Sequence, residues 1–428
     1  MSSEQLPQDQ PELRPIPSEL ESRPTKSIKV SDLGELAEEA PAWRRSRFWL
    51  LITDPFALVL WTVIAAFLVV AQIPRVLWFL TPPPLMRVAL VDYTAPYEHP
   101  REHRGAVWTL NHLKYPTADG RSFADLGTHI GYQPDDRNNP TTIAGTDLTP
   151  YNWVLVTDAY GVYEADLRDI EHQVGHLSYS RKIFGGLSEA DADALVAFSR
   201  RGNHLLLEFN SIEDPTEPAA RAKLEALFGL KWTGWVGRTF ESLRDTTDVP
   251  TWVEPNYRAQ YGNRSLPTGS VLMLVHRDGR IVLVSSGMQE RVVPHVVITA
   301  AGEQALGATR NGGAYPFWFP IIKPDSGTEV LAELRLPELP EVRNVLESEG
   351  LAGNLPLLMR RRDGGSHRVY LAADLSDSQF EPGSHQVDGP LWLRKLVSLR
   401  RKRFEGQDGF WEFYVPALRA VLRAPELQ

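Results

Sequence analysis

The chain has 428 residues, of which 43% are hydrophobic and 23% charged, and it holds no cysteine. The absent thiols exclude a disulfide framework, a thiolate zinc site, an iron–sulfur cluster and a cysteine nucleophile. A formal charge of −9 opposes nucleic-acid binding, because neutralising phosphates needs a basic surface.

Residues 1–47 form an acidic stretch. Within 1–40, nine acids face four bases, prolines recur and aromatic residues are missing. Such a stretch buries too little apolar surface to offset its ordering entropy, so disorder is expected, apart from a short helix at 30–39. Residues 55–73 (PFALVLWTVIAAFLVVAQI) then give 19 positions without a charge. At ~1.5 Å per residue they span about 28 Å, close to the hydrocarbon core of a bilayer. Trp49 and Trp78 stand where interfacial aromatics are expected, so 48–80 reads as a transmembrane helix with its flank. Pro74 and the run Pro82-Pro83-Pro84 are expected to end the helix. Arg44, Arg45 and Arg47 precede the span, against Arg75 and Arg87 after it. This bias predicts a cytoplasmic N-terminus and a main domain on the outer, periplasmic face of a bacterial inner membrane.

Beyond the prolines, short apolar runs alternate with amphipathic stretches. Residues 87–91, 153–157 and 205–209 read as strands leading to Asp92, Asp158 and Asn210. Residues 188–201 read as a helix with Ser188 as N-cap and Asp191 completing a capping box, and 217–228 as another, with Pro218 in its first turn. Strands that feed helices predict an α/β fold with a parallel sheet covered on both faces. Its core is expected over 86–245, with an inserted or appended β-rich region at 246–365 that includes a hairpin about Asp278-Gly279. The chain is expected to return to the core over 366–428, with a second hairpin about Gly364-Gly365 before Asp374 and a C-terminal helix at 410–422.

Ligands of open parallel sheets bind outside the carboxyl ends of the strands. Asp92, Asp158, Tyr160, Glu208, Asn210 and Asp374 fall there. Asp and Asn also favour such positions as turn formers. Glu208, inside the apolar run LLLEF, needs a partner, a raised pKa or an exposed position. Arg101, His103 and Asn111 follow the first strand, and Trp232, Trp235 and Arg238 lie in the stretch KWTGWVGRTF. Tryptophan faces beside polar groups suit sugar rings; the same residues serve equally as core.

Residues 153–216 resemble the class I glutamine amidotransferase-like superfamily. WVLVTDAYGVY resembles the strand and loop before its middle helix, GLSEADADALVAFSRRG that helix, and NHLLLEFNSIEDPT the strand entering the nucleophile elbow. The resemblance implies a flavodoxin-like fold. At the elbow this chain has Glu208-Phe209-Asn210 and no cysteine, so glutaminase chemistry is not expected. No cofactor or metal is expected: His99-Pro100-Arg101-Glu102-His103 matches a zinc pattern, but the proline breaks the helix that pattern needs. His172 and His176 lie in loop-like surroundings, and six bases within 394–403 read as a solvated face or a meeting point for lipid headgroups.

Two readings of function follow. In the first, a membrane-anchored, degenerate amidotransferase-like domain binds carbohydrate or a protein partner in envelope polysaccharide assembly or export. In the second, it is a glycan hydrolase or transferase with Glu208 and Asp158 as catalytic carboxylates. In either, Asp92, Arg101, His103, Asn111, Tyr160, Asn210, Trp232, Trp235 and Arg238 contact the ligand, and residues 55–73 contact the bilayer.

Overall fold

The computed structural model describes residues 55–97, 101–124, 126–168, 180–245, 248–285, 291–307, 309–351, 354–377, 383–388 and 409–427. The expectations for the 1–47 tail, His99, His172, His176 and the bases at 394–403 lie outside them. The chain divides into two units, Met1–Ala71 and Gln72–Gln428.

Helix α1, Pro55–Leu80, is long and apolar enough to cross a membrane and leaves its large apolar side chains exposed. Its 26 residues extend about 39 Å. It passes through Pro74, where the sequence predicts an end. One proline removes one backbone donor, and six helix-compatible residues follow it; the stop comes at Pro82-Pro83-Pro84. The last carbonyls find partners in the second unit's own residues: Lys114 Nζ donates to Phe79 O at 3.2 Å and to Thr81 O at 2.6 Å. Trp78 Nε1 donates to His112 O at 2.8 Å.

In chain order the other main elements are β1 Val88–Asp92, α2 Arg104–His112, β2 His129–Gly131, β3 Trp153–Asp158, β4 Val162–Tyr163, α3 Glu164–Arg168, β5 Lys182–Phe184, α4 Glu189–Arg200, β6 His204–Glu208, α5 Pro218–Phe228 and β7 Leu230–Phe240. There follow α6 Val253–Tyr261, β8 Val271–His276, β9 Ile281–Val284, β10 His295–Ile298, α7 Ala300–Leu306, β11 Gly313–Ala314, β12 Phe319–Pro324, β13 Glu329–Arg335, α8 Pro340–Ser348, β14 Leu355–Asp363, β15 Ser366–Leu371 and α9 Val415–Arg423.

The large sheet has nine strands in the order β11-β10-β13-β14-β15-β6-β3-β1-β2. From β2 to β15 its neighbours run parallel; from β15 to β11 they run antiparallel. The fold is therefore mixed α/β, and the expected parallel sheet accounts for half of it. Alternation along the strands splits the core in two. Val88, Leu90, Trp153, Leu155 and Leu206 pack on one face, with Phe410, Phe413 and Leu418 of the C-terminal segment. Ala89, Val91, Val154, Val156 and Leu207 pack on the other, with Leu195 of α4 and Leu224 of α5. The Ser188–Asp191 capping box is present, and Gly229 closes α5 at φ 64°.

A second sheet, β12-β7-β8-β9, is antiparallel. It draws β7 from within 86–245, while β10, β13 and β14 of 246–365 join the large sheet. Both expected hairpins form, β8–β9 and β14–β15. The C-terminal helix is broken in two: Gly409–Tyr414 is a π-helical stretch and α9 follows. Pro416 lacks the donor that would continue a regular helix across the junction, so a wider turn precedes it.

Candidate functional site

The carboxyl ends of β3 and β6, the loop after β15 and the edge of the second sheet enclose a cleft of about 440 Å³. Asp158 ends β3 and lines it; Oδ1 accepts the Tyr160 N–H at 2.7 Å. Burial first, then the nearby charge of Asp92, raises its carboxyl to about 7. Asp92 itself lies behind the cleft, fully buried. Its Oδ1 accepts the Thr94 N–H at 2.7 Å, and its Oδ2 is hydrogen-bonded to Nδ1 of His103. His103 is equally enclosed and packs on His129 at 4.7 Å. This buried pair anchors the turn that carries Arg101 and Glu102 to the cleft wall. Gly105 lets that turn approach the loop after β15: its N–H donates to Ser376 O at 2.8 Å, the distance a Cβ there would have from the same oxygen.

Across this approach, Arg101 Nε stands 3.5 Å from Asp377 Oδ2 and 3.8 Å from Glu102 Oε1. Burial, then the charge of Asp377, pushes the Glu102 carboxyl up. Its Oε2 is buried without a hydrogen-bond partner. Asp374 is pushed up by burial and then by Asp377 and Asp158. Glu213 accepts the Tyr370 hydroxyl at 2.6 Å, and burial raises it to about 8. Glu102, Asp158, Glu213, Asp374 and Asp377 thus floor one cleft.

Glu208 is not among them. Period two along β6 puts it on the face of Leu206, under the C-terminal segment. There the Tyr414 hydroxyl donates to its two oxygens at 2.9 and 3.2 Å. It is fully buried, and burial outweighs that hydrogen bond to raise it to about 8. The need for a partner is met, but the carboxyl does not line the cleft. The next residue, Phe209, does, at φ 34°, a strained left-handed value at the position resembling the nucleophile elbow.

Of the other sequence-predicted residues, Arg101, Tyr160, Asn210, Trp232 and Arg238 line the cleft. Asn111 lies elsewhere, exchanging two 2.9 Å hydrogen bonds with the Phe123 backbone. Trp235 is buried on the other side of β7, with Arg280 5.0 Å from its ring centre. The ring of Trp232 is buried and carries two guanidinium groups, Arg221 at 5.0 Å and Arg277 at 5.5 Å, so little of it is open for stacking; half-buried Trp318 carries one, Arg238 at 5.7 Å. The half-buried rings facing the cleft are Tyr160, Trp252, Phe317 and Trp318. Trp252, Trp318, Glu213, His276 and Arg277 are residues that sequence reasoning did not single out. Glu213 sits in SIEDPT, where an acid reads as turn chemistry; the two tryptophans lie in stretches without periodicity. Among the described residues, no group of three or more His, Asp or Glu is placed to hold a metal ion.

No protein-family model and no curated protein matches the chain. Solved structures similar to it include a β-galactosidase from Bacillus circulans sp. alkalophilus, at 13% identity over 60% of this chain and 23% of that one, with a TM-score of 0.26. An exo-β-1,4-mannosidase from Opitutaceae bacterium strain TAV5 matches at 13% identity over 80% of this chain and 36% of that one, TM-score 0.30. A putative ThuA-like protein from Bacteroides uniformis matches at 11% identity over 75% of this chain and 94% of that one, TM-score 0.30. The chain therefore spans well under half the length of the two glycosidases.

Proposed function

We propose that this chain is a single-pass protein of a bacterial inner membrane whose outer domain, with a flavodoxin-like, amidotransferase-like parallel half, binds carbohydrate in the cleft and serves envelope polysaccharide assembly or export. The carrying observation is the pairing of a carboxyl floor with half-buried aromatic rings in one cleft. Carboxyl groups match sugar hydroxyls, and ring faces match the apolar C–H faces of a pyranose. The apolar α1 and the arginines before residue 48 support the anchor and its orientation. The second reading, a glycan hydrolase or transferase, draws on Asp158: a carboxyl near 7 facing the cleft suits a general acid or base at neutral pH. Glu208, sealed under Tyr414, has no part in it.

The test is an oligosaccharide array probed with the full-length protein in lipid nanodiscs. Trp318→Ala is expected to weaken binding about tenfold while the fold is retained, the loss of roughly 1.4 kcal/mol of ring contact. Binding that Trp318→Ala leaves untouched contradicts the cleft reading. Product formation abolished by Asp158→Asn selects the enzyme over the binder.

A further inference from the structure

The charges around the cleft are unevenly divided. On the wall each arginine has an acid within reach: Arg238 has Asp248, and Arg277 shares Asp214, at 3.3 Å, with Arg221. On the floor, Glu102, Asp158, Glu213, Asp374 and Asp377 face one guanidinium, that of Arg101. Burial holds Asp158 near 7 and Glu213 near 8, so these carboxyls keep protons around neutral pH that a neutral sugar's hydroxyls leave in place and a cation displaces. Glu102 adds a second, separate observation. It is 6% exposed, it lines the cleft, and its Oε2 is buried with no hydrogen-bond partner. A buried oxygen left in that state is costly, and a donor brought by a ligand relieves it.

Resting on the carbohydrate reading above, we propose that the sugar taken by this cleft carries a free primary amine, an unacetylated amino sugar, with its ammonium group seated between Glu102 and the Asp374–Asp377 loop. An ammonium is compact, brings three donors and one positive charge, and fits the space beside a single orphan oxygen better than a planar guanidinium does. A metal ion is the poorer candidate, since no described group of three acids or histidines is placed to hold one. Acetylating the amine removes both the charge and two of the donors. The floor therefore discriminates against the N-acetylated sugar, while the rings of Trp252 and Trp318 supply contact that both forms share.

The experiment is calorimetric titration of the full-length protein in nanodiscs, at pH 7, with three trisaccharides: β-1,4-linked glucosamine, its N-acetylated form and cellotriose. The glucosamine trimer is expected to bind about tenfold tighter than either neutral trimer, a preference that shrinks as salt is raised. Glu102→Gln is expected to reduce that preference to less than about threefold, with neutral-trimer binding retained. Asp377→Asn, at a half-buried loop position, gives the same readout if Glu102→Gln fails to fold. Neutral trimers that bind as tightly as glucosamine overturn the amine proposal and leave the carbohydrate reading standing. Preference unchanged in both variants also overturns it. Binding of none of the three trimers overturns the carbohydrate reading with it.

Discussion

On the floor of the cleft, acids stand at or beside the ends of buried strands and lean on one arginine; on the wall, Arg238 pairs with Asp248, while Arg277 and Arg221 share Asp214. The floor is made by the large sheet, whose strand ends are fixed by packing on both faces. Its acids are buried, and burial raises Asp158 to about 7 and Glu213 to about 8. The wall is made by β7, β8 and the loops around them; the acids its arginines reach, Asp248 and, from the loop after β6, Asp214, remain near half-exposed. Solvent there screens the pairs, so they add little stability. The contrast teaches that the packed side of this cleft holds acids raised by burial, while the side of the second sheet keeps its acids exposed and supplies Trp252, Phe317 and Trp318 as ring surface.

The strongest way to break that arrangement is at the contact that brings Glu102 to the Asp374–Asp377 loop. Gly105→Val places side-chain atoms against Ser376 O and the Phe410 ring, both within 3.0 Å of the added Cβ. A loss of about 3 kcal/mol is expected, read as a drop of roughly 4 °C in melting temperature. A variant that melts with the wild type contradicts the described approach.

Acidity sharpens the comparison. In the unfolded chain these carboxyls titrate near 4. In the native chain Asp158 titrates near 7, and Glu208 and Glu213 near 8. Between those limits the folded state holds more protons, so this contribution is full below about pH 4 and is lost as pH rises to 8. The domain is expected to melt about 5 °C higher at pH 5.5 than at pH 8.5, whereas a chain governed by ion-paired carboxylates shows the reverse slope. A scan of melting temperature against pH decides between them.

A smaller effect separates the two strand-end acids. Tyr414→Phe leaves Glu208 buried without its donor and is expected to cost about 1–2 kcal/mol by urea unfolding. Glu208→Gln keeps a neutral group of the same shape, so the expected change is under about 1 kcal/mol. Equal, large losses in both variants show that Glu208 is ionised in the native state.

Strands β1, β3 and β6 of the parallel half were legible because five-residue apolar runs followed by Asp or Asn are a local signal; the three-residue β2 was not. The Ser188 cap and the β8–β9 turn, which depend on neighbours in sequence, were legible too. Beyond the β14–β15 hairpin, the antiparallel half was not: HVVI and EVLAELR look like strands of any sheet, and their choice of partner is made across the fold. The same limit governed the site. Strand ends pointed to Asp158 and Glu208 alike, but only the packing of the C-terminal segment tells which one is sealed. Trp232 and Trp235, three residues apart on one strand, fall into different cores, a parity that the sequence contains but whose open side it does not mark.

Asp158 and Asp374 line the cleft, whereas Glu208, likewise raised by burial, does not. Carbodiimide labelling of the full-length protein at pH 7, read by peptide mass spectrometry, measures this difference. Modification of Asp158 and Asp374 with Glu208 spared is the expected result; Glu208 labelled as fast as Asp158 contradicts it.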